Sequence, residues 1–422
     1  MTSSTTGHGQ ANPTSTTPDL TASSGVTSTE PSAAPVEVSA HAATGQSGLT
    51  SAPGTGNTSL ILGIIGVIIL SILAIGIAGY LVLGLGGDAV ALGGLMALIP
   101  LAIVFFGVRW IDRWEPEPRL AVVFAFLWGA AVAVIIALLV GSGVDPVITL
   151  VSQGNQFAYQ FIGAAIQAPL VEETAKGLGL LVIFFAARKY FDGPVDGVVY
   201  AAWVAGGFAF TENILYFGSQ MLDAGTAFSP DVAFIFFVRG VMSPFAHVMF
   251  TMFTGLALGY AARRGFGVLG VVGVFMIGLI PAMLLHALWN GALFFVNDFF
   301  GYYAIVQVPL FVLAILLVRF LRRQESKLTF DRLSEYASVG WFAVDELPAL
   351  ATPRGRRQAL AWAANNGKRR AMKRYIQDAT KLAFTRQRII TGRGGIGATA
   401  EEAAMLTAIV ESRRALVGVR QG

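Results

Sequence analysis

The chain has 422 residues, of which 55% are hydrophobic and only 13% charged, with a mean hydropathy of +0.65. A soluble domain carries roughly 25% charged residues, so this composition excludes an ordinary water-soluble globular protein and points to a polytopic membrane protein. The formal net charge is +4 and cysteine is absent, which excludes disulfides and thiolate metal sites.

Residues 1–57 are rich in Ser, Thr, Gly, Pro and Ala and hold no Lys or Arg. Such a stretch has too little apolar surface to offset the entropy of ordering, so it reads as a disordered tail. The first hydrophobic run begins near Ser59, too deep for a cleaved signal peptide, and reads as a retained segment. Eight hydrophobic spans then follow, at 59–85, 89–108, 120–141, 159–187, 194–217, 232–260, 267–297 and 303–321. Each is long enough to cross a hydrocarbon core of about 30 Å. The seventh holds Pro281, a place for a kink. The expected fold is an all-α polytopic membrane protein of about eight transmembrane helices. Its expected divisions are the tail 1–57, a transmembrane domain 58–321 and a basic helical region 322–422.

The basic residues set the topology. Arg109, Arg113 and Arg119 follow span 2, Arg188 and Lys189 follow span 4, and Arg263 and Arg264 follow span 6. The loops after spans 1, 3, 5 and 7 have none, and twenty more Lys and Arg run from Arg319 to Arg420. By the positive-inside rule both termini are cytoplasmic, in a protein of the plasma membrane. The region from Arg319 also carries nine acidic residues. Its segment 368–390 interleaves basic and apolar side chains, so anionic lipid at the cytoplasmic face is the expected partner. No recognised nucleic-acid-binding motif is present.

Seven acidic, basic or histidine residues lie deep inside the spans, away from their ends: Glu172, Glu173 and Lys176 in span 4, Glu212 in span 5, Arg239 and His247 in span 6, His286 in span 7. A charge in hydrocarbon needs a partner, a watery cavity or a function. Glu172 and Lys176 are four apart and share a helix face as an ion pair, which turns Glu173 about 100° away and leaves it free. Two acids against one cation leave a net negative charge that packing alone does not explain. Phe208, Glu212 and Tyr216 recur every four residues and share a face. Arg239 is placed to hold a glutamate ionised. His286 and Asn290, again four apart, are suited to base or ligand chemistry and to donating to a developing oxyanion. From the helical rise of about 1.5 Å per residue, Glu173, Glu212, His247 and His286 all lie roughly 20–30 Å from the cytoplasmic helix ends. Matching depth on four helices suggests one shared cavity.

At these residues the chain resembles the PrsW family of intramembrane proteases, within the wider group that includes the CAAX prenyl endopeptidases and bacteriocin-processing enzymes. The motifs are Glu172-Glu173-x-x-Lys176, Phe208-x-x-x-Glu212-x-x-x-Tyr216, His247 followed eight residues later by Gly255, and His286 in the last motif. The turn Asp112-Arg113-Trp114-Glu115-Pro116-Glu117-Pro118 also looks typical of such chains. The resemblance covers about residues 89–320, and the long N-terminal tail and basic C-terminal region depart from it.

The resemblance implies proteolysis within or beside the membrane, on a membrane-protein substrate. In the family's namesake that substrate is an anti-sigma factor, a role not assumed for this chain. It further implies that Glu172, Glu173, Glu212, His247 and His286 build the site, with Lys176, Arg239 and Asn290 in support. His286-x-x-x-Asn290 resembles the last motif of the CAAX group, where these residue types support the oxyanion. Two mechanisms fit. In one, Glu212, His247 and His286 hold zinc and a second glutamate takes the proton of its water. In the other, a glutamate activates water directly, with histidine and asparagine on the oxyanion. Glu173 is the expected base, because Glu172 is the one spaced to pair with Lys176. The rival reading is a proton-coupled transporter that uses the same buried cluster, although no inverted repeat supports it. A non-catalytic scaffold is a third, against which the full set of motif residues argues.

Overall fold

A computed structural model describes residues 55–188, 190–395 and 397–417. The expected disordered tail therefore lies outside the described residues, apart from 55–57, which open the first helix. The described secondary structure is helical throughout, without strands. Eight hydrophobic helices follow one another: α1 (Thr55–Leu85), α2 (Gly87–Ile111), α3 (Arg119–Ser152), α4 (156–186), α5 (Pro194–Ala224), α6 (Pro230–Arg264), α7 (Val268–Ala292) and α8 (Phe299–Ser338). Seven of them are long and apolar enough to cross a membrane, which makes the chain a multi-pass membrane protein. The eighth, α4, corresponds to the fourth expected span, and three charged residues, Glu172, Glu173 and Lys176, set it apart in composition.

The centre of the bundle is α5, which is enclosed along most of its length. Glycines let its neighbours approach. A Cβ on Gly197 would lie 2.0 Å from the Gly255 carbonyl oxygen of α6, and one on Gly255 would lie 2.1 Å from that of Gly197. Such backbone contact is how helices gain dispersion energy where water cannot drive them together. Gly255 lies two turns beyond His247, so this seam seats the histidine's helix on the helix that carries Glu212.

α6 is not continuous. Residues 237–242 form a π-turn and helix resumes at Ala246, with Ser243-Pro244-Phe245 between. Pro244 has no N–H to donate and restricts the residue before it. Ser243 caps the break by donating its hydroxyl to the Val238 carbonyl at 2.6 Å. The interruption changes where Arg239 and His247 point, and π-turns of this kind are common beside functional sites.

α8 runs on through residues 321 and 322, the expected domain boundary, and its C-terminal half joins a second hydrophobic core. Leu333, Leu350, Ile376, Leu382 and Ile409 meet there, contributed by α8, the turn Leu347–Ala351, and helices Arg369–Ile390 and Ala398–Val417. Apolar residues of 368–390, among them Met372, Ile376, Ala379 and Leu382, pack in this core. The residues around them are close neighbours at 3.6-residue spacing, and a protein partner satisfies that stripe as well as a bilayer does.

This C-terminal region docks against all three basic loops. Arg356 stacks on Trp114 at 3.4 Å and donates to its carbonyl at 3.2 Å. Arg388 donates to Asp192 at 2.7 Å, and Arg393 donates to the Ala262 carbonyl, also at 2.7 Å. The loops after spans 2, 4 and 6 thus lie at the same end of the bundle. The Asp112–Pro118 turn ties this end together, since the Trp114 indole donates to Thr329 at 3.0 Å and Tyr200 of α5 donates to Glu117 at 2.6 Å.

Candidate active site

Four helices bring the ionisable residues into one cluster. α4 supplies Glu172, Glu173 and Lys176, α5 supplies Glu212, α6 supplies Arg239 and His247, and α7 supplies His286. Lys176 and Glu173 are both fully enclosed, with 0% side-chain exposure. The Lys176 ammonium donates to Glu173 Oε1 at 2.6 Å, while Glu172 Oε2 lies 3.6 Å away. The expected Glu172–Lys176 ion pair is therefore present, but the closer contact is with Glu173. Positions three and four apart are both neighbours on a helix, so lysine can reach either acid. The acid at i+3 is the one sealed from water, where an unpaired carboxylate would be most costly.

Glu173 is saturated as well as buried. Its Oε1 also meets His286 Nδ1 at 3.0 Å, and its Oε2 accepts from the Thr251 hydroxyl at 2.8 Å. Glu173 is therefore not the free carboxylate expected of a base, but the group that orients His286. Glu212 does the same for His247, whose Nε2 lies 2.9 Å from Glu212 Oε2. Glu212 also accepts from Arg239, which in turn donates through Nε to Asn213 Oδ1 at 2.8 Å. Both aromatic residues of the α5 motif carry the cations. Lys176 sits 4.2 Å over the Phe208 ring and Arg239 3.9 Å over the Tyr216 ring. Desolvated cation–π pairs of this kind contribute about 2 kcal/mol.

Glu172 is different. Its Oε2 is buried and has no hydrogen-bond partner, and it faces His286 Nε2 at 3.8 Å. One donor atom each from Glu172, His247 and His286 lie within 4.8 Å of one another. The two imidazoles are edge-to-face, with centroids 5.2 Å apart, and Phe250 stacks on His286 at 4.9 Å.

The residues fit a metal ion. Two histidines and one carboxylate form a recognised zinc donor set, Glu172 Oε2 makes no hydrogen bond and faces His286 Nε2, and each imidazole meets a carboxylate on one nitrogen. His247 Nδ1 lies 3.1 Å from the Lys176 ammonium, which would have to turn aside for that nitrogen to bind a metal. Three glutamates against Lys176 and Arg239 leave one net negative charge for a cation to offset. The carboxylate in this group is Glu172, not the expected Glu212. Glu212 is drawn to Arg239 by the π-turn that aims the guanidinium at it.

Asn290 lies beside the cluster rather than in it. Its amide donates to the Ala164 carbonyl of α4 at 2.8 Å, which pins α7 to α4. Sequence reasoning missed Thr251, Asn213 and Phe250. Thr251 was within reach of it, four residues after His247 and so on the same face.

Residues 117–314 match the profile of a family described as PrsW family intramembrane metalloprotease. A protein named Protease PrsW from Clostridioides difficile is 30% identical over 196 residues, covering 46% of this chain and 76% of that one. Proteins of the same name from Oceanobacillus iheyensis and Geobacillus kaustophilus are 29% and 30% identical, covering 38% and 36% of this chain and 66% and 58% of theirs. No solved structure matches.

Proposed function

The chain belongs to the PrsW family of intramembrane metalloproteases and is a membrane peptidase; from this premise we propose that it hydrolyses a peptide bond in or beside a transmembrane segment, with Glu172 as the reactive carboxylate. The observation that carries the proposal is the buried Oε2 of Glu172, engaged by no hydrogen bond and grouped with His247 and His286.

Peptide hydrolysis needs a water stripped of a proton, a group to receive that proton, and charge to stabilise the oxyanion. Glu172 receives the proton, since Glu173 has both oxygens engaged by neighbours and Glu212 is held through Oε2 by Arg239 and His247. Glu173 and Glu212 are positioning residues that fix the tautomer and ring plane of His286 and His247. Lys176 and Arg239 balance the buried carboxylates. Were a metal bound, Glu172, His247 and His286 would hold it and Glu172 would then serve as a ligand rather than as the proton acceptor, with zinc the ion their chemistry suits best. When bound, zinc lowers the pKa of a coordinated water and polarises a carbonyl. Enclosure by α5, α6 and α7 keeps bulk water scarce, which strengthens each of these electrostatic interactions.

The substrate class is a membrane protein, because the cluster lies within hydrophobic helices. In this reading the protein spans the plasma membrane with both termini in the cytoplasm. Support comes from the three Arg-bearing loops and the basic C-terminal region, which sit at one end of the bundle.

Reconstitution of the full chain in proteoliposomes with a membrane-protein fraction, in 18O-labelled water, tests the reading. New C-terminal carboxylates carrying one 18O are expected with wild type and not with Glu172→Gln. If labelled termini form equally with Glu172→Gln, Glu172 is not the reactive group. If none form with metal-replete wild type, the proteolytic reading fails.

A further inference from the structure

A second feature lies away from the glutamate–histidine cluster and is independent of the hydrolytic reading. A cleft of about 2370 Å³ opens between the ends of α2, α3 and α8 and the C-terminal helices. Twelve arginines and lysines line it, against two carboxylates, Asp112 and Glu117. None of the twelve comes within 4.0 Å of a carboxylate oxygen among the described residues. The excess is therefore not spent internally. Some of it is built in: Arg322 stacks on Trp110 at 4.3 Å and leaves its buried Nε without a partner.

The other wall is apolar. Phe105 and Phe106 of α2 and Val123 of α3 line the same cleft and are 40%, 68% and 43% exposed. These belong to helices that cross the membrane, and the cationic residues begin where the apolar stretches end. The structure thus presents hydrocarbon-facing side chains grading into a cationic pocket at a membrane interface marked by Trp110. Indoles favour that depth.

We propose that this cleft binds an anionic phospholipid, its phosphate among Arg319, Arg323 and Arg369 and its acyl chains along Phe105, Phe106 and Val123. Charge complementarity selects an anion, and guanidinium forks suit phosphate oxygens. The apolar wall selects a lipid over a nucleic acid, which would have to bring its phosphates to the edge of the hydrocarbon. Because Arg356 bridges the pocket to the Trp114 turn, and Glu117 of that turn binds Tyr200 on α5, the bound lipid also buttresses the helix that carries Glu212.

The test uses the full chain in phosphatidylcholine nanodiscs containing a trace of phosphatidylglycerol with a diazirine in its acyl chain. Crosslinked peptides are mapped after irradiation. Crosslinks are expected on 101–127, displaced by unlabelled phosphatidylglycerol and not by added phosphatidylcholine, inorganic phosphate or a duplex oligonucleotide. Arg319→Gln/Arg323→Gln/Arg369→Gln, all exposed positions, should cut the yield at least about tenfold, given about 1 kcal/mol per basic residue near an anionic lipid. Lys327→Gln/Lys381→Gln/Arg414→Gln removes equal charge outside the cleft and should leave the yield unchanged. Crosslinks spread evenly around the helices, or equal losses in the two triple variants, would overturn the proposal. Displacement by the oligonucleotide or by phosphate alone would reassign the cleft to those ligands. The competition arms need only the wild-type chain, so they decide the matter even if a variant misfolds.

Discussion

The closer pairing of Lys176 with Glu173 than with Glu172 can be measured by a double-mutant cycle. Glu173→Gln preserves shape and most hydrogen-bonding capacity but removes one charge of a pair separated by 2.6 Å with both side chains at 0% exposure. Removing one partner of a buried pair strands the other, at about 3–5 kcal/mol. Lys176→Met should do comparable damage by stranding Glu173. The double variant carries neither charge, so the two losses should not add, and a coupling of about 2–3 kcal/mol is expected. Thermal unfolding of purified protein in detergent, followed by tryptophan fluorescence, reads this directly. Each single change should lower Tm by on the order of 5–10 °C, and the double variant should recover about a third of the summed loss. Additive losses would refute the ion pair. Coupling of Lys176→Met to Glu172→Gln instead of to Glu173→Gln would restore the pairing expected from four-residue spacing.

Metal content separates the two candidate donor sets. After zinc loading, Glu172→Gln and His286→Gln should lose at least about tenfold in affinity, and Glu212→Gln should bind better than either, as measured by plasma mass spectrometry of the dialysed chain. Gly255→Ala brings a methyl to 2.1 Å from the Gly197 carbonyl, forcing the α5–α6 seam open, so Tm and cleavage should fall together, by about 1–3 kcal/mol in stability. Asp112, in the turn outside the membrane helices, is pushed from 3.8 up to about 6, chiefly by burial. Its ionisation disfavours the folded state, so its contribution is fully present below pH 3.8 and is lost as pH rises through about 6. Asp112→Asn should flatten that part of the Tm–pH curve, and an unchanged curve would contradict the burial.

The all-helical fold and the cluster's membership were legible because charge inside hydrocarbon is rare and each instance demands a partner. Glu172, Glu173, Lys176, Glu212, Arg239, His247 and His286 do meet across four helices. What spacing could not supply was the choice among neighbours. Lysine reaches back three residues or four with equal ease, and only the enclosure around Glu173, set by Thr251 and His286 from other helices, decides between them. Glu212 pairs with Arg239, which lies in the π-turn 237–242 of α6, a local geometry that eight-residue spacing does not encode. Asn290 sits one turn from His286, yet helix packing turns its amide to Ala164. The stripe in 368–390 was visible as amphipathic, but an apolar stripe does not say whether lipid or another helix covers it.

Membrane terminomics tests the central claim most directly. A deletion strain complemented with wild type or with Glu172→Gln, at matched expression and with Tm confirmed, is compared at rest and under envelope stress. New N-termini in or beside transmembrane segments, present with wild type and absent with Glu172→Gln, are the predicted result. Identical sets of termini from the two strains would contradict the account.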